Sequence, residues 1–190
     1  LRNGQLWQAG TERATPTEAA EASGWQLLDD LTGGGWPRGA VTELMSGNTH
    51  GLTLVLPALA RLSTQARWLA WIAPPHIPYA PALAANGVDM QRVLLVQQVD
   101  ERESLWSAEQ ALQSGLCAAV LLWPRQLEIA QLRRLQLAAE RGRCMGFLFR
   151  SLGDARQSSP AALRLKVSPS PLGLDVEVLK RRGGWGGAQC

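Results

Sequence analysis

Between Gly115 and Pro124 the chain runs Leu116-Cys117-Ala118-Ala119-Val120-Leu121-Leu122-Trp123 without a polar residue. A segment this short and this apolar reads as a strand buried on both faces, and such strands belong to parallel sheets covered by helices on either side. The rest of the chain repeats the theme. Ala40 to Met45, Arg67 to Ile72, Val93 to Val96 and Met145 to Phe149 read as further strands, and Pro74, Pro75 and Pro78 break the second of them into a loop.

Helical patterns lie between these strands. Leu54 to Leu62 is apolar at helical spacing, although Pro57 removes one backbone hydrogen bond and predicts a kink or a late start. Pro81, Leu83-Ala84-Ala85 and the stop Asn86-Gly87 mark a short helix. Asp100 and Glu103 predict a capping box for a helix from Glu101 to Ser114, closed by Gly115. Leu127 to Arg141 carries a stripe of Ile129, Leu132, Gln136 and Ala139, with Gly142 expected to end the helix. Strand and helix in alternation predict an α/β fold with a mostly parallel sheet flanked by helices. After Phe149 the period changes: Leu163, Leu165, Val167 and Leu174, Val176, Val178 alternate with polar residues, as in an antiparallel hairpin.

At 190 residues, with 46% apolar and 18% charged residues, the chain suits one domain with a sizeable core. The expected organisation is a loosely ordered polar segment over 1–23, the folded domain over 24–180, and a basic, Gly-rich tail over 181–190. Cys117, Cys144 and Cys190 lack metal-ligand spacing and cannot all pair; Cys117 and Cys144 fall inside apolar runs and are expected as buried thiols, which fits a reducing cytoplasm. The first residues carry no signal-peptide pattern, no apolar stretch approaches the ~20 residues of a membrane span, and with Leu1 in place of Met the natural start is expected upstream. A net charge of +3 does not by itself argue for nucleic-acid binding.

The junction between the first strand and helix reads Ser46-Gly47-Asn48-Thr49-His50-Gly51-Leu52-Thr53. A phosphate-binding loop reads Gly, four residues, Gly-Lys-Ser/Thr: backbone N–H groups cradle the phosphates, the Lys neutralises them and the hydroxyl holds magnesium. Here Ser46 replaces the first Gly and Leu52 the Lys, while Gly51 and Thr53 survive. The loop is either an emptied nucleotide site or an ordinary strand-to-helix turn. His50 and His76 read as surface residues, since no nucleophile, base and orienting acid assemble around them.

Several segments then carry a resemblance. Gly33-Gly34-Gly35-Trp36-Pro37-Arg38-Gly39, followed by Val41 to Leu44, resembles the start of a RecA-type recombinase core. Together with Trp71-Ile72-Ala73-Pro74-Pro75, Tyr79 to Leu83, Glu109 to Leu112, Leu132 to Ala138 and Val178 to Gly184, in that order, it resembles the ImuA family, RecA-like accessory proteins of bacterial damage-induced mutagenesis. The SulA cell-division inhibitors look similar over Gly51 to Phe149 but lack the Gly-rich run and the closing hairpin. The resemblance implies a RecA-like fold and a role in SOS error-prone translesion synthesis. It implies binding to ImuB, and through it to an error-prone replicative-type polymerase and the sliding clamp, together with contact with RecA. The alternatives are a SulA-like inhibitor binding FtsZ, or an atypical ATPase.

A RecA-type ATPase needs an acid after the second strand and a magnesium-holding carboxylate after the fourth. The chain has Ala73-Pro74-Pro75 and Trp123-Pro124 there, and Arg150-Ser151 where a polar sensor follows the fifth. An architecture without its chemistry is expected: no catalytic residue, no metal and no cofactor. Candidate partner-binding residues are Arg133 and Arg134 on the last helix and Lys180, Arg181, Arg182 and Trp185 at the end, which also read as a solvated face or as contacts to single-stranded DNA. The resemblance favours a protein partner, in a protein recruited from the cytoplasm to the nucleoid. Of eight Trp, Trp68, Trp71 and Trp123 read as core or core-edge packing, and Trp36, Trp106 and Trp185 as partner anchors.

Overall fold

The structure, a computed structural model, describes residues 20–47, 50–97, 100–171 and 173–183. Two short strands, β1 (Ala20–Glu21) and β2 (Trp36–Pro37), pair antiparallel around α1 (Gln26–Thr32). β3 (Val41–Ser46), α2 (His50–Ser63), β4 (Trp68–Ile72), α3 (Ala80–Ala85), β5 (Val93–Val96), α4 (Glu101–Gln113), β6 (Cys117–Leu122), α5 (Ile129–Gly142) and β7 (Met145–Arg150) follow, and β8 (Leu163–Ser170) and β9 (Gly173–Arg181) close the chain. The main sheet has seven strands in the order β5-β4-β6-β7-β3-β8-β9, all parallel except β9. The expected fold class is therefore observed, hairpin included.

Alternation along the buried strands sends side chains to two cores. On one face Leu44, Trp71, Phe147, Leu165 and Val178 pack with Val55 and Leu59 of α2 and with Trp36. On the other, Val41, Ile72, Val120, Leu122 and Leu148 pack with Leu112 of α4 and Leu132 and Leu135 of α5. Cys117 and Cys144 are buried free thiols, and burial raises the pKa of both, so neither is poised as a thiolate.

Local expectations fare unevenly. The capping box of α4 is present, with the Asp100 carboxylate accepting from the Glu103 N–H at 2.7 Å and the Glu103 carboxylate from the Asp100 N–H at 3.1 Å. The late start of α2 is not observed: the helix begins at His50 with Pro57 inside it. Burial of Val55, Ala58 and Leu59 holds the helix through the proline, and Trp25 Nε1 donates to the Leu54 carbonyl beside it at 3.2 Å. The apolar run before Pro124 begins its strand at Cys117, leaving Leu116 exposed. On α5 the buried stripe is Leu132, Leu135, Gln136, Ala138 and Ala139; Ile129, at the first turn, is exposed.

Gly142 does not end α5 by turning left-handed. It lies inside the helix, and Arg143 takes the left-handed position at φ 47°. Gly142 is required for a different reason: a Cβ there would lie 1.9 Å from the Leu112 carbonyl oxygen of α4. Arg67 then caps the end, donating from Nη2 to the Gly142 carbonyl at 2.9 Å and from Nη1 to that of Arg143 at 3.3 Å. Gly142→Ala should push α4 and α5 apart and cost about 1–3 kcal/mol, read as a lower urea midpoint. An unchanged midpoint would mean that the helices separate freely.

Of the segment expected to be loose over 1–23, residues 20–23 are described, and Glu21 pairs with Arg38 and with Arg61. Residues 1–19 and 184–190 lie outside the described residues, and so does Trp185. Strand β9 runs to Arg181, one residue past the expected domain end.

Candidate functional site

Parallel sheets bind ligands at the C-terminal ends of their strands. That edge consists here of Ser46 at the end of β3 with Gly47 after it, Ala73 to Pro75 after β4, Trp123 to Arg125 after β6 and Arg150 at the end of β7. The first turn of α2 is pressed onto the strands: a Cβ on Gly51 would meet Leu44 Cβ at 3.3 Å and Phe149 Cδ1 at 3.4 Å. Leu52 is half-buried against the core, where a Lys would have to extend toward phosphate, and Thr53 is exposed. Asn48 and Thr49 lie outside the described residues.

Beside the loop lies an aromatic cluster. Trp123 stacks on Phe149 with ring centroids 4.5 Å apart and planes at 8°, and lies 5.8 Å from Trp71. Trp123 follows β6, at the strand end where a RecA-type ATPase carries its magnesium-holding carboxylate. Ala73, at φ 48°, turns β4 into Pro74 and Pro75, and an open cleft of about 710 Å³ lined by these residues with Ile77, Trp123 and Arg125 runs beside them. An alanine in that backbone region is strained, and it marks the corner of the cleft. Among the described residues, no group of three or more His, Cys, Asp or Glu could hold a metal ion.

Arg150, expected where a sensor would follow β7, does not face the loop. It is 4% exposed and belongs to a buried charge network that the sequence reading missed. Glu43 of β3, fully buried, pairs through Oε1 with Arg150 Nη1 at 2.5 Å and through Oε2 with Arg164 Nε at 2.6 Å. Arg150 Nη2 also reaches Asp154 at 3.2 Å and donates to Gln157 Oε1 at 3.1 Å. Arg164 donates to the carbonyls of Gln157 at 2.8 Å and Asp154 at 3.1 Å. The register Glu43↔Arg164 between β3 and β8 puts acid and base side by side. The available signal was Glu43 itself, an acid within an apolar strand, which demands partners when buried.

The basic candidates are not brought into one patch. Arg134 pairs with Glu109 of α4, while Arg133 is exposed on α5. Lys180 lies in β9 and donates to the Ser159 carbonyl at 2.6 Å; burial, then Arg164 and Arg182, lowers its pKa. Arg181 donates to the Leu31 carbonyl at 3.3 Å, and Arg182 pairs with Glu140 of α5 at 3.3 Å. Trp36 is fully buried, edge-on to Phe147 with centroids 5.3 Å apart, so it is core and not an anchor. Trp106 is 61% exposed, as an anchor must be. Trp68, read as packing, is 40% exposed beneath Arg92.

Comparison with known proteins adds the relatives. The family model "Cell division inhibitor SulA" matches residues 39–146. The cell division inhibitor SulA of Edwardsiella piscicida is 39% identical over 112 residues, covering 58% of this chain and 67% of its own length. The crystal structure of SulA from Pseudomonas aeruginosa shares 32% identity, with 58% of this chain and 97% of that one covered at a TM-score of 0.49. The RadB recombinase structure is 16% identical and has the same fold over 89% of this chain and 93% of its own, at a TM-score of 0.71. The chain belongs to the SulA family, and its fold is RecA-like.

Proposed function

We propose, from membership of the SulA family, that this protein is a non-catalytic member of the bacterial DNA-damage response that inhibits cell division by docking on FtsZ. The observation that carries the reading is the family match from Gly39 through β3, α2, β4, α3, β5, α4, β6 and α5 to the start of β7. A pull-down from damaged cells tests it. FtsZ should come with the bait, and overproduction should make cells filament; recovery of ImuB and RecA without FtsZ would overturn it.

A second reading rests on what lies outside that match. The Gly-rich run Gly33 to Gly35 with Trp36, and the β8–β9 hairpin, flank residues 39–146, and the RecA-like likeness covers 89% of the chain, more than that match spans. That favours an ImuA-type accessory protein of error-prone translesion synthesis, contacting ImuB and RecA and, through ImuB, an error-prone replicative-type polymerase and the sliding clamp. Deleting the gene would then abolish damage-induced mutagenesis and leave division unchanged.

Both readings use a core that does not turn over nucleotide. Leu52 packs on the core where phosphate charge would need a cation, and Trp123 stands in for the carboxylate after β6. Calorimetric titration with ATP and magnesium should give no binding, and Leu52→Lys should create no turnover, because the acids after β4 and β6 remain absent. Micromolar ATP affinity, or hydrolysis by the variant, would contradict this. Among the described residues no helix is long and apolar enough to cross a membrane.

A further inference from the structure

The N-terminal ends of the parallel strands gather arginines. Arg38 stands just before β3 and Arg143 just before β7. The antiparallel β9 brings Arg181 and Arg182 to the same end, through the register Leu163↔Arg181 and an Arg182 N–H that donates to the Ala162 carbonyl at 2.8 Å. Gly39 joins the two halves of this row, since a Cβ there would lie 3.5 Å from Arg143 Cα. Arg133 and Arg134, nearer the start of α5, are not part of it. Arg38, Arg181 and Arg182 lie outside residues 39–146, so this chemistry is the chain's own and not a feature of the family match.

Between the glycine run and the end of β9 lies a recess of about 320 Å³, lined by Arg38, Arg181 and Arg182 with Gly33, Gly35 and Gly39, and by no acidic side chain among the described residues. The glycines do not form an anion cradle: the Gly34 N–H donates to the Asp29 carbonyl at 2.7 Å and the Gly35 N–H to Thr32 Oγ1 at 3.0 Å. They provide room, because a Cβ on Gly33 would lie 2.7 Å from Arg181 Nη1. Anion binding here falls to the guanidinium groups. Arg38 shares Glu21 with Arg61, and Arg182 pairs with Glu140 at 3.3 Å. The Arg38 and Arg182 side chains are 39% and 60% exposed in these pairs, which makes the pairs weak and leaves N–H donors for a second anion. Arg143 and Arg181 have no carboxylate partner among the described residues.

We propose that this arginine-lined end of the sheet binds the phosphate backbone of single-stranded nucleic acid. From β9 through β8 and β3 to β7 the row crosses three strand-to-strand steps of ~4.8 Å, about 14 Å in all. That length exceeds a single phosphate and suits a run of them along one strand. Guanidinium forks match phosphate oxygens two at a time, and the site is built of arginine. The recess admits the sugar and phosphate of one strand, whereas a duplex would rest on its rim. No aromatic side chain lines the recess among the described residues, so the contact is to the backbone and independent of base sequence. The proposal does not rest on docking to FtsZ.

Fluorescence anisotropy of a labelled oligothymidylate, titrated with the full chain at several salt concentrations, tests this. Binding is expected at low salt, with the logarithm of affinity falling against that of salt at a slope of about −2 to −3 for three to four phosphate contacts. Arg181→Gln combined with Arg182→Gln should weaken binding roughly tenfold or more and flatten the slope by about 1.4, whichever base sequence is used. Arg181→Lys with Arg182→Lys should keep the slope, and Arg125→Gln at the opposite end of the sheet should change nothing. On the unaltered chain, where folding of a variant plays no part, the oligonucleotide should shift the NMR amide signals of Gly33 to Gly39 and of Arg181 to Gly183. Absence of binding at low salt, an affinity indifferent to the glutamine pair, or equally tight binding of duplex or of oligoglutamate overturns the proposal.

Discussion

Replacing Glu43 by Leu should lower the unfolding free energy by about 3–5 kcal/mol, because it leaves two guanidinium groups buried without their shared carboxylate. Arg150 is 4% exposed and Arg164 6%; Asp154 would remain beside Arg150 at 3.2 Å, but Arg164 would keep only the carbonyls of Gln157 and Asp154, which cannot supply the missing negative charge. A domain stabilised by about 5–15 kcal/mol loses a large part of its margin in this way. The variant carrying Glu43→Leu, Arg150→Met and Arg164→Met together should recover most of the loss, since removing a whole buried ionic group avoids its desolvation cost. Urea unfolding of both proteins checks this. A loss below about 1 kcal/mol for Glu43→Leu would mean that water reaches the guanidinium groups and that the network is not the clamp of β3, β7 and β8.

Trp36→Ala should cost about 3–5 kcal/mol, the usual loss for truncating a fully buried Trp. The ring is fully buried and packs edge-on against Phe147 of β7, so its removal opens a void beneath the β1–β2 pair. Its Nε1 has no hydrogen-bond partner among the described residues. Trp36→Phe should therefore retain most of the stability, losing ring volume and no polar contact. The thermal midpoints of the two variants should separate clearly. Equal midpoints would show that the cavity collapses and that the residue is not a fixed part of the core.

The sequence made the architecture legible because buried parallel strands leave long apolar runs. Cys117–Leu122 and Met145–Arg150 are buried along their whole length, and no other element suits runs so short and so apolar. The capping box at Asp100 was legible because its partners are local in sequence. Long-range contacts were not. Gly142 looked like a helix stop, yet its small size is required by the Leu112 carbonyl, thirty residues earlier, which no local pattern reveals. Trp36 looked like an anchor because it sits among glycines, and it is buried because the chain at β2 brings it onto Phe147 of β7, the central strand of the sheet. Strand order was also out of reach, and with it the neighbourhood of Glu43, Arg150 and Arg164, which the order β7-β3-β8 creates. The absence of a Lys from the loop was readable at Leu52, whereas the stacking of Trp123 on Phe149 needed the fold.

The central claim, inhibition of division by contact with FtsZ and without nucleotide turnover, is tested most directly by FtsZ assembly. Light scattering of purified FtsZ with GTP should fall as this protein is added toward stoichiometry, with or without ATP. Scattering unchanged at a severalfold excess would contradict the claim.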